Sequence, residues 1–132
     1  MIGKARNFRS YKVWTDAVAY ASDVYKVTGN MPYFEKKGLC DQLQRAVVSI
    51  SSNIAEGCAK PSDAEFAKFL DTALGSAYEV ETQLLIAKNI GYLDDNENDN
   101  ENENGGTYGR LLEKLKDIEK QLSGLIKTVR NN

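Results

Sequence analysis

Histidine is missing altogether from these 132 residues, and cysteine, proline and tryptophan are scarce, at two, two and one. Without histidine, a Ser-His or Cys-His nucleophile cannot be assembled, and neither can His-ligated zinc or iron. The same absence removes the Glu-x-x-His pairs of di-iron bundle enzymes. The two cysteines, Cys40 and Cys58, stand 18 residues apart. On a single helix they share a face about 27 Å apart, beyond disulfide reach. They read as small buried residues in a reducing compartment. No apolar run approaches the roughly 20 residues that cross a bilayer. The start, "MIGKARNFRSYKVW", is polar and basic, without the apolar stretch of a signal peptide. A cytoplasmic location is therefore expected.

What is present is ordinary for a globular chain, 42% hydrophobic and 27% charged, and the length suits one domain spanning residues 1–132. The net charge of −2 conceals a split. The stretch "DDNENDNENEN", residues 94–104, carries six acids and no base, so the remainder of the chain is at +4. The tract has no hydrophobic anchor and is expected, as loop 94–106, to be solvated and without fixed structure. It lacks the loop-centre glycine and terminal glutamate spacing of a calcium-binding hand, so no metal is assigned to it.

Pro32, Pro61 and the acidic tract divide the chain into four segments, each with helical periodicity. Helices are expected over about 10–28, 33–58, 62–92 and 107–130. In the first, Tyr11, Trp14, Val18, Ala21 and Tyr25 fall on one side, and Gly29-Asn30 supplies a stop. In the second, Leu39, Leu43, Val47, Ile50 and Ile54 share a narrow arc with both cysteines. The third opens on "SDAE", a capping box of Ser62 and Glu65, and continues through Phe66, Leu70, Ala73, Ala77, Val80, Leu84, Ala87 and Leu93. The fourth carries Leu111, Leu115, Ile118, Leu122, Leu125 and Val129 in heptad steps. Short connections make successive helices antiparallel, so the fold expected is all-α, an up-down-up-down four-helix bundle.

One stretch departs from a usual solvent face. Opposite the core arc of "QRAVVSISSNIAEG", residues 44–57, stand Arg45, Ser49, Ser52 and Glu56, with Val48 beside them. Small side chains let another surface approach and have little entropy to lose. Arg45 and Glu56 lie about 16 Å apart along the axis and cannot pair within one helix, although each could pair with a residue of a neighbouring copy. Gly75-Ser76 interrupts the third helix, where glycine costs about 1 kcal/mol relative to alanine. It reads either as tolerated or as a site of close backbone approach. Arg45, Val48, Ser49, Ser52, Asn53, Glu56, Gly75 and Glu79 are thus expected at an interface, with a quiet solvent face as the plainer alternative.

Residues 39–84 closely resemble the four-helix-bundle family encoded in the intervening sequences of some bacterial 23S rRNA genes, often labelled a ribosomal protein. The likeness is carried by Leu39, Gln42-Leu43, Arg45-Ala46, Ser49-Ile50 and the block Asn53-Ile54-Ala55-Glu56-Gly57. It continues in Glu65-Phe66, Phe69-Leu70, Ala73, Gly75-Ser76 and Glu79, and the opening "FRSYKVW" is similar too. The resemblance implies a ring-like homopentamer. In a related branch, the accessory variability proteins of diversity-generating retroelements, a strongly basic pentamer binds nucleic acid and a reverse transcriptase. The present chain, net acidic, departs from that branch in charge.

An RNA-associated oligomer would act through phosphate contacts multiplied around the ring. The candidates are Arg9, Lys12, Lys36, Lys37, Lys116, Lys120 and Lys127, with Lys4, Arg6, Lys114 and Arg130 nearby in sequence. A solvated charged face explains the same residues, and no motif for sequence-specific RNA readout is present. The alternative is a structural adaptor holding a protein partner without nucleic acid. No catalytic residue or cofactor is assigned: Glu56, Glu79 and Glu81 could approach in space, yet nothing supplies a nucleophile or phosphate loop.

Overall fold

The computed structural model of the chain describes residues 6–94 and 106–132. Among them four α-helices follow in order, α1 (Lys12–Thr28), α2 (Leu39–Cys58), α3 (Asp63–Asn89) and α4 (Gly106–Arg130), without a strand. Sequential helices pack antiparallel and α4 closes against α1. The result is the expected up-down-up-down bundle. Most of the acidic tract, residues 95–105, lies outside the described residues.

Every residue of the stripe expected for α3, from Phe66 to Leu93, is buried, while Tyr78, Leu85, Ile86 and Ile90 stand exposed outside it. Its start is capped as the sequence suggests, the Glu65 N–H donating to Ser62 Oγ at 3.2 Å. Its end comes at Asn89, before residue 92, because Gly91 turns the chain with φ of 89°. The Tyr92 N–H then reaches the Ala87 carbonyl at 2.8 Å, and the Gly91 N–H reaches Lys88. These bonds close the helix through a glycine-dependent Schellman stop.

α1 is rotated from the face that its aromatic spacing suggests. Val13, Ala17, Tyr20 and Val24 are buried, whereas Val18 and Tyr25 are 39% and 46% exposed. Tyr11, Trp14 and Ala21 remain at the margin of the core. The helix has two apolar arcs one residue out of step, and its neighbours choose between them. Tyr20 fixes the choice: its hydroxyl donates to the Leu111 carbonyl of α4 at 2.9 Å.

α4 follows its heptad seam to Leu122 and then buries Ile126, leaving Leu125 only partly covered. A straight helix drifts about 20° per heptad from a strict seven-residue repeat. α2 begins at Leu39 instead of near residue 33, because Pro32 leads into a 3-10 turn, Tyr33–Glu35, and Gly38 precedes the helix. Both cysteines are buried and free. Cys40 Sγ donates weakly to the Thr28 carbonyl, and Gln44 Nε2 donates to Thr28 Oγ1 at 3.0 Å, tying the start of α2 to the end of α1.

Candidate subunit interface and basic surface

The small residues of α2 divide between two tasks. Ser49 and Asn53 are half-buried and turn toward α3. Ser49 Oγ lies 2.8 Å from Ser76 Oγ, and Asn53 Nδ2 donates to both the carbonyl and the hydroxyl of Ser49 at 2.8 Å. Because the Ser49 hydroxyl accepts from Asn53, its own hydrogen is free for Ser76. This short polar ladder fixes the register of α2 against α3. Lower in the same seam, Gly57 meets the aromatic wall of α3. A Cβ there would stand 2.8 Å from Phe69 Cβ and 3.0 Å from Phe66 Cδ1. The glycine of the Asn-Ile-Ala-Glu-Gly block is therefore a point of close approach between α2 and α3. Among the described residues nothing lies within 4 Å of a Cβ built on Gly75, so none of their backbone approaches from another element.

The remaining positions look outward. Arg45, Val48, Ser52, Glu56, Gly75 and Glu79 are exposed, Val48 at 40%. From the Ser49–Ser76 contact, Arg45 lies about 6 Å and Glu79 about 4.5 Å toward the same end of the bundle. They are level with each other, but Arg45 pairs within its own helix, its Nε donating to Asp41 Oδ2 at 2.9 Å. Glu56 lies about 10 Å the other way along the axis, and Glu81 faces α4, within 3.1 Å of Lys116. The three glutamates considered for catalysis are therefore not brought together. Among the described residues no group of three metal-ligating side chains forms either.

The basic candidates are distributed over the bundle instead of being gathered. Arg9 stands beside the 59–62 connection, its guanidinium over the rings of Phe8 and Trp14 at 5.6 and 5.5 Å. Lys36 and Lys37 lie at the opposite end, Lys36 over the Tyr33 ring. That end also holds both edges of the acidic tract, since the Tyr108 N–H donates to the Asp94 carbonyl at 2.9 Å. Lys12 pairs with Asp16 at 2.6 Å and reaches Asp117 at 4.0 Å. Its hydrogen bond to Asp16 raises its pKa. Lys116 is held between Glu81 and Glu119 at 3.1 and 3.7 Å, with the Glu81 hydrogen bond the main cause of its raised pKa. Arg6 binds Asp63 and the Lys60 carbonyl, Arg130 binds Asp71, and Lys114 lies 3.3 Å from Asp23. Lys4 falls outside the described residues. Arg9, Lys36, Lys37, Lys120 and Lys127 remain without an ion pair among the described residues, and Lys116, Lys120 and Lys127 share one stripe of α4.

An open groove between α1 and α4, about 760 Å³ in volume, carries both signs of charge, among them Asp16, Asp23, Glu113, Lys26 and Arg110. Arg110 and Lys114 both pair with Asp23 across it. Burial of Asp23 is more than offset by these partners, which hold its carboxyl below the usual range. Within the groove Asp23 is thus neutralised by Arg110 and Lys114.

These features define a class: an antiparallel four-helix bundle with a polar register ladder between α2 and α3 and a small-residue face beside it. The family described as 23S rRNA-intervening sequence protein matches residues 9–124. The chain belongs to that family. It is similar in fold to a protein of unknown function from the S23 ribosomal protein family of Bacteroides thetaiotaomicron, with a TM-score of 0.73 and 24% identity over 87% of this chain and 95% of that one. No curated protein matches the chain. None of the described helices is long and apolar enough to cross a membrane.

Proposed function

We propose that the protein is a non-enzymatic, cytoplasmic bundle that assembles with copies of itself through the outer face of α2 and α3 and associates with structured RNA through phosphate contacts. The observation that carries the assembly is the exposed row of Ser52, Gly75 and their neighbours, flanked by Arg45 and Glu79. Such a face can be covered closely at little entropic cost, whereas long charged side chains would resist it. The number of copies, five, comes from the family likeness. The RNA reading is supported by the family description and by the candidates Arg9, Lys36, Lys37, Lys120 and Lys127, which have no ion pair among the described residues. Lys120 and Lys127 share a stripe that a ring would repeat.

A second reading, an adaptor for a protein partner without RNA, is favoured by one observation. Tyr33 and Phe34 stand 85% and 75% exposed at the end of the bundle where the acidic tract is anchored. Large exposed aromatics suit a protein contact, and six acids repel phosphate.

Binding to structured rRNA fragments at increasing salt separates the two readings, with mass followed by light scattering in the same buffers. The RNA reading expects an oligomer whose affinity falls steeply with log salt. An intact oligomer without binding at moderate salt supports the adaptor, and a monomer throughout overturns the assembly.

A further inference from the structure

Three buried side-chain oxygens have no hydrogen-bond partner among the described residues: Glu81 Oε1, Gln83 Oε1 and Glu119 Oε2. Two of them belong to one cluster. Glu119, 6% exposed, is the only buried acid among the described residues, and it stands on the flank of α4 that faces Glu81 of α3. Lys116 Nζ lies 3.1 Å from Glu81 Oε2 and 3.7 Å from Glu119 Oε1. One ammonium thus serves one oxygen of each carboxyl. Held by one ammonium, the two carboxyls lie side by side, and the oxygen of each that Lys116 does not hold is the one without a partner. If both groups were ionised, both oxygens would be acceptors and neither could satisfy the other. A single hydrogen between them satisfies both.

We propose that Glu81 and Glu119 share one proton across the seam between α3 and α4, which makes the docking of α4 a proton-dependent device. Tyr78, Thr82 and Tyr108 line a small pocket with Glu81, yet among the described residues none donates to the free oxygen of either carboxyl. From α4 the only charged neighbour acting on the pair is Lys116, already divided between them. From α1 the nearest titratable group is Tyr20, whose hydroxyl is committed to the Leu111 carbonyl. Asp23 and Arg110, beyond Tyr20, pair with each other. α2 places no charge against either carboxyl.

Burial, followed by the adjacent Glu81, pushes Glu119 up to about 7, with Lys116 opposing only in part. Hydrogen bonding from Glu119 is the main cause that holds Glu81 low, assisted by Lys116 and opposed by burial. The proton therefore resides on Glu119 and points at Glu81. Near neutrality it is lost, and the seam then holds two carboxylates against one ammonium. The folded form retains a proton that the unfolded chain has already released. Stability from this pair therefore falls as pH rises from the ordinary glutamate value of 4.5 to about 7, and levels above it.

Carboxyl-carbon NMR of the intact wild-type protein, with its glutamates labelled, tests this directly. One glutamate resonance is expected to titrate near neutrality, to vanish in Glu119→Gln, and to move to lower pH in Glu81→Gln. Urea unfolding at each pH gives the second readout. The wild-type unfolding constant should rise by up to about tenfold per pH unit within that window, and Glu119→Gln should remove that component. Titration of every wild-type glutamate below about pH 5.5 would overturn the proposal, as would an unchanged pH slope in Glu119→Gln.

Discussion

A methyl group placed on Gly57 would have to enter space already held by Phe69 Cβ and the Phe66 ring, at 2.8 and 3.0 Å. Neither is the loose end of a flexible chain, so α2 and α3 must separate to admit it. Gly57→Ala should therefore cost about 1–3 kcal/mol, the usual penalty for overpacking, and urea unfolding should show it as a lower midpoint. Gly124, inside α4, has nothing within 4 Å of a Cβ. There the same substitution removes only the backbone freedom of glycine, so Gly124→Ala should gain about 0.5–1 kcal/mol. Two chemically identical substitutions with opposite signs would establish that the α2/α3 seam is set by contact distance and not by helix propensity.

At the scale of the helices, the polar ties of α1 to α4 beside their shared core are Asp23 with Arg110 and Lys114, Gln121 donating to Asp16, and the buried Tyr20 hydroxyl. Because the folded carboxyl of Asp23 titrates below its ordinary value of 3.8, its contribution is fully present above that pH. It is lost as pH falls through the lowered value. Asp23→Asn should destabilise the neutral protein by about 1 kcal/mol and flatten the acid limb of its stability profile, read by thermal unfolding from pH 2 to 6. How far each helix was legible follows from its side chains. In α3 the capping box and the long stripe from Phe66 to Ala87 made the buried face readable, although Tyr78, Leu85 and Ile86 lie exposed off it. α1 offers Val13, Ala17, Tyr20 and Val24 one residue out of step with Trp14, Val18, Ala21 and Tyr25, and periodicity alone cannot choose between them. In α4 the adjacent Leu125 and Ile126 pose the same ambiguity. The interhelical partners were less legible still. Ser49 reads as part of an outward face until Ser76 is placed opposite it, and Glu119 reads as an ordinary surface acid until Glu81 and α3 cover it.

For the whole molecule, the decisive residue is Gly75, because it separates chain stability from assembly. Within one chain a Cβ there meets nothing, so Gly75→Ala should strengthen α3 by about 0.5–1 kcal/mol, as at Gly124. If the outer face of α2 and α3 packs closely on another copy, the same methyl group intrudes into that contact. Gly75→Ala should then weaken association while raising the stability of the dissociated chain. Ser52→Trp and Arg45→Glu act on the same face more severely and should yield monomers with unchanged helicity. Light scattering across a dilution series, paired with circular dichroism, reads both quantities in one set of samples. Assemblies of wild-type mass and wild-type dissociation constant in all three variants would remove this face from the interface. Loss of assembly with helicity intact would place the copies against the Ser52–Gly75 face. It would also leave Arg9, Lys120 and Lys127, which have no ion pair among the described residues, on surfaces that the assembly repeats, where a phosphate backbone can engage several copies at once.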